Sequence, residues 1–109
     1  MGMDQTVSFE SGALPSWEAI QSYFAEQSFP LQMRMINGEL AFPDEAPPED
    51  WNEIRLGTEA GMITVRREES RLTLVIWGNA DPTLLEAWNT LAKGFAHLTQ
   101  GTISQSDQP

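Results

Sequence analysis

The chain has 109 residues, 40% of them hydrophobic, with 16 acidic against 6 basic side chains and a formal net charge of −10. That is the size and apolar content of one small folded domain rather than a disordered chain. The acidic balance argues against a nucleic-acid backbone or an anionic membrane surface as partner, since both require clustered Lys and Arg. There are no cysteines, which excludes disulfides, zinc-thiolate sites, iron–sulfur clusters and thiol nucleophiles and suits a cytoplasmic location. No apolar run approaches the ~20 residues of a membrane-spanning helix, and the first residues lack the basic and apolar regions of a signal peptide.

In chain order, "TVSFE" (Thr6 to Glu10) alternates Val7 and Phe9 with polar neighbours and predicts a short strand. "LPSWEAIQSYFAEQSF" places Trp17, Ile20 and Phe24 at helical spacing. A helix is expected over Pro15 to Gln27, with Pro15 in its first turn or Ser16 as its cap. "LQMRMINGELAF" reads as a hairpin around Asn37-Gly38, a pair suited to the positive φ angles of a type I′ turn. "PDEAPPEDW" is acidic and rich in proline, so it is expected to be a solvated crossing between strands.

Three further strands are expected in "NEIRLGTEAGMITVRREESRLTLVIW". Ile54 and Leu56 alternate in the first, Ile63 and Val65 in the second, and Leu72, Leu74 and Ile76 in the third. "DPTLLEAWNTLAKGFAHLTQ" then carries an apolar stripe of Leu84, Trp88, Leu91, Phe95 and Leu98. Asp81 is its expected N-cap and Pro82 its first residue. Gly94 weakens the interior by roughly 1 kcal/mol relative to Ala and suggests a close approach to the sheet. The ending "GTISQSDQP" is polar and is expected to fray.

The pattern predicts an α+β two-layer sandwich: a mainly antiparallel sheet of about five strands with two helices on one face. Residues 1–100 would form the single domain and residues 101–109 a flexible tail.

Few residues suggest catalysis. His97 is the one histidine and sits near a helix end, where it complements the helix dipole. No G-x-S-x-G locates a nucleophile, and no glycine-rich nucleotide fingerprint appears. "GNADP" has one glycine, an acid where an anion would sit, and a proline that removes a donor, so it is read as a connection. "DEAPPED" lacks the spacing of a calcium loop. No cofactor, metal or catalytic residue is assigned.

Side-chain alternation marks a surface instead. With Met33, Met35, Ile54, Leu56, Ile63, Val65, Leu72, Leu74 and Ile76 inward, the opposite face would carry Gln32, Arg34, Ile36, Arg55, Thr64, Arg66, Thr73, Val75 and Trp77. Arg34, Arg55, Arg66 and Trp77 thus become the candidate contact residues, because Arg and Trp on a semi-apolar surface typify binding hot spots.

The expected function is that of a protein-interaction module without catalytic activity, a homodimer or a binder of another protein through this face. Three other readings compete. In one, the arginines hold a small anionic ligand or form an enzymatic cleft. In another, the acidic exterior around Asp44, Glu45, Glu49 and Asp50 engages a basic protein. Or the face is only solvated, with Arg paired to Glu39 or Glu53, or covered by the first strand or the acidic loop.

Overall fold

The computed structural model describes residues 3–77 and 81–105. Seven strands and two helices follow one another as β1 (Met3–Ser8), α1 (Trp17–Glu26), β2 (Gln32–Ile36), β3 (Glu39–Leu40), β4 (Glu53–Thr58), β5 (Gly61–Glu68), β6 (Arg71–Ile76), α2 (Pro82–Thr99) and β7 (Thr102–Gln105). The strands form one antiparallel sheet in the order β3-β2-β4-β5-β6-β1-β7. The α+β class expected from the sequence is the class observed.

Local chemistry sets the elements. α1 begins at Trp17 rather than Pro15, because the Ser16 hydroxyl accepts a hydrogen bond from the Ala19 N–H and caps the helix. In α2 the Asp81 carboxylate does the same for the Leu84 N–H at 2.8 Å, with Pro82 in the first position. Asn37 and Gly38 both have positive φ, as a type I′ turn requires. Asn37 also anchors the hairpin. Its side-chain oxygen accepts from the backbone of Asn52 and Glu53, and its own N–H donates to the Glu53 carbonyl at 2.7 Å.

One sheet face and both helices share a single core. Val7, Met33, Ile54, Leu56, Ile63, Val65, Leu72, Leu74 and Ile76 pack there with Trp17, Ile20 and Phe24 of α1 and Trp88, Leu91 and Phe95 of α2. Each fully buried side chain of this kind contributes about 1.5–3 kcal/mol. Trp88 fixes α2 to the sheet centre by donating its indole N–H to the buried Leu74 carbonyl at 2.9 Å. Gln5, a buried polar residue of β1, donates to the Asn89 side chain at 2.9 Å and so is not left unpaired.

Several expectations need correction. The sheet has seven strands rather than about five, since β3 is very short and β7 comes from the expected tail. The helix ends at Gln100 in the left-handed region, with φ 55°. At Gly101 a Cβ would lie 2.3 Å from the Ser8 carbonyl oxygen, so only glycine lets the chain pass close enough to lie along β1. Residues 106–109 lie outside the described residues.

β1 spans Met3–Ser8, earlier than Thr6 to Glu10, and is an inner strand between β6 and β7. Gly94 serves an approach between helices rather than to the sheet: a Cβ there would sit 2.3 Å from a ring carbon of Phe24.

The inward and outward residues of β2 also differ. Met33 faces Leu56, yet Met35 faces Arg55, so two steps on β2 match one on β4. This β-bulge shifts the alternation. Ile36 turns into the core, at 9% exposure, and Met35 turns out.

Candidate functional site: the open sheet face

The face away from the helices is built in rows by strand pairing. One row runs Leu40, Met35, Arg55, Thr64, Val75, Asp4 across six strands. The next runs Glu53, Arg66, Thr73, Thr6, Ser104. On the other side of the first lies Gln32, Gly57, Met62. Thr64 and Val75, at the centre, are buried. Exposed apolar side chains on this face include Leu40, 88% exposed on the edge strand β3, and Met62, 49% exposed on the central strand β5.

Arg34 is the bulge residue. Its aliphatic stem lies over Gly57: a Cβ there would meet Arg34 Cγ and Cδ at 3.3 Å. Glycine at position 57 therefore makes the bed on which this arginine rests. The bulge backbone is satisfied from the returning chain, where the Ala41 N–H donates to the Arg34 carbonyl at 3.1 Å. Arg55 is half-buried, and its Nε lies 3.4 Å from the Thr64 hydroxyl. Neither Arg34 nor Arg55 has a carboxylate partner among the described residues. Together with Met35, Leu40, Ala41 and Met62 they line a shallow groove of about 320 Å³.

Arg66 differs. It lies on the same face but pairs with Glu53, its cross-strand neighbour, at 3.5 Å, with both side chains about half exposed. Such a pair contributes about 0–1 kcal/mol and leaves less free charge for a partner. Trp77, 55% exposed, directly follows β6. Extending the β5–β6 register by two residues sets it opposite Met62. The structure thus brings Arg34 and Arg55 to one groove, with Arg66 and Trp77 on the same face beyond it.

The face is not covered by the segments the sequence offered for that purpose. β1 lies within the sheet. The acidic loop is tied down at the helix side of the sheet by Arg67, which donates to the Glu49 carbonyl at 2.7 Å and stacks over the buried Trp51 ring at 4.7 Å.

Met62, Leu40 and Arg67 were not singled out in the sequence. Met62 shares parity with Thr64 and Arg66, and this signal was sufficient to place it. Arg67 shares parity with Ile63 and Val65, which puts a charge on the core side, where a tryptophan receives it.

Other candidates lie elsewhere. His97 is exposed and stacks on Tyr23 with ring centroids 5.4 Å apart. Of "GNADP", residues 78–80 lie outside the described residues, and Asp81 serves as the α2 cap. Arg71 hydrogen-bonds Glu68 at 2.6 Å across the β5–β6 turn. This bond holds the Glu68 carboxyl below its ordinary range and raises the arginine. Its stabilisation is present above the usual carboxylate pKa and is lost as pH falls through the lowered one. Both groups are fully exposed, so solvent screens the effect.

Among the described residues no group of three or more His, Asp or Glu is placed to hold a metal ion, and no helix is long and apolar enough to cross a membrane. The chain matches no family model, no curated protein and no solved structure.

Proposed function

We propose that the chain is a small acidic, cytoplasmic protein-interaction module without catalytic activity, and that it self-associates through the open sheet face. In this reading the protein is a two-layer sandwich, with helices covering one side of the sheet and a partner covering the other. One observation carries it: Arg34 and Arg55, two of only six basic residues, flank exposed Leu40 and Met62 without a carboxylate partner among the described residues. An apolar patch edged by unpaired arginines has the composition of an interface centre. A second copy is the occupant favoured here, because an isologous contact sets the same apolar residues, Leu40 and Met62, against their equivalents and takes them out of water.

The test is the solution mass, by light scattering behind a sizing column at low and high salt, for the wild type and for Arg34→Glu combined with Leu40→Asp. The wild type should exceed the 12.2 kDa of one chain at both salts, because an apolar-centred contact is weakly screened. The double substitution should halve that mass. Equal masses for the two proteins sink the reading.

The groove touching Arg34 and Arg55 favours a second reading, a small anionic ligand held by the two guanidinium groups. Saturable binding of a dicarboxylate to the single chain, lost in Arg55→Gln, distinguishes it.

A further inference from the structure

The two edges of the sheet are finished differently. The β3 edge is two residues long, and the chain after it folds back, with Ala41 N–H on the Arg34 carbonyl and Met33 N–H on the Pro43 carbonyl. Prolines and carboxylates follow in "PDEAPPED". Shortness, proline and charge are the means by which natural sheets keep other strands away. The β7 edge, at four residues, is also short, but it has neither of the other two. Thr102–Gln105 contains no charge and no proline, keeps a continuous register with β1, and among the described residues has no strand on its outer side. Thr102, Ile103 and Ser104 are all exposed, Ile103 at 38%.

We infer that β7 is a second self-association surface, on which β7 of another copy adds antiparallel and continues the sheet. Charge selects this occupant. Copies with net charge −10 repel one another over most of their surface, yet from Phe95 to Ser106 the only ionisable side chain is His97. Along Thr102–Gln105 itself, two residues short of Asp107, two copies can therefore meet without opposing carboxylates. A two-fold axis perpendicular to the sheet makes the new pair antiparallel automatically, matching every other pair in the sheet. It also brings the Ile103 side chains of both copies, which share the helix side with Val7, towards one another. The product is a doubled sheet with all helices on one side and both open faces on the other.

This surface is independent of the open face, and four proteins separate the two: the wild type, the face variant Arg34→Glu with Leu40→Asp, the edge variant Ile103→Glu with Ser104→Glu, and their combination. With both surfaces active, light scattering should find a tetramer for the wild type, a dimer for each variant and a single chain for the combination. A face variant with the mass of one chain overturns the edge pairing. An edge variant with the mass of one chain overturns the open-face contact instead. Because the chain has no cysteine, a second measurement guards against misfolded edge variants. Thr102→Cys, Ile103→Cys and Ser104→Cys, each introduced into the face variant, should include at least one that forms a disulfide-linked dimer under mild oxidation. Failure of all three to cross-link also overturns the pairing.

Discussion

The two faces of this sheet are made of alternate residues on the same strands, yet they behave as different materials. On β6, Leu72, Leu74 and Ile76 are buried against the helices, whereas Arg71 and Thr73 lie on the other side with Val75. The helix side is closed by tryptophan and phenylalanine from α1 and α2. The open side mixes arginine, threonine and methionine, and leaves Leu40 and Met62 in water. The larger share of buried apolar surface therefore lies on one face, while on the other, among the described residues, only the central Thr64 and Val75 are buried.

Leu74→Ala should show this contrast at its largest. Leu74 is fully buried, and its truncation should cost about 2–5 kcal/mol in denaturant unfolding. Its neighbour Thr73, on the open face, should change stability by no more than about 0.5 kcal/mol when replaced by Ala. A similar loss at both positions would mean the open face is packed as tightly as the covered one.

The bulge gives a smaller but sharper contrast. Ile36→Ala should cost roughly 2 kcal/mol or more, as for a core aliphatic residue. Met35→Ala, one residue away and half-exposed, should cost under about 1 kcal/mol. Strict alternation from Met33 demands the reverse order, so the pair of measurements reads out the register shift directly.

Period-two alternation made the strands legible in the sequence at Ile54 and Leu56, at Ile63 and Val65, and along β6. Capping chemistry made the helix starts legible at Ser16 and Asp81. Three features were hidden, each because it depends on contacts distant in the chain. The bulge at Arg34 is stabilised by the returning Ala41 and by the absence of a side chain at Gly57. β7 is too polar to announce itself, and it forms because Gly101 can pass the Ser8 carbonyl. Arg67, half-buried, lies on the core side because Trp51 and the Glu49 carbonyl receive it.

For the candidate site, parity placed Arg34, Arg55, Arg66 and Trp77 on one face. It could not show that Arg66 is paired with Glu53 while Arg34 and Arg55 have no carboxylate partner among the described residues, because that depends on which residues lie opposite across strands.

The most direct measurement compares methionines on the two faces. Met33 is buried under the helices, and Met62 is 49% exposed beside the arginines. Oxidation by dilute peroxide, followed site by site by mass spectrometry, reports access to each sulfur. If the open face is an interface, Met62 oxidises slowly at concentrations where the chain associates. It then oxidises quickly on dilution or in the Arg34→Glu with Leu40→Asp variant, while Met33 stays protected throughout. Rapid oxidation of Met62 at every concentration, in wild type and variant alike, would contradict the assignment of this face to self-association.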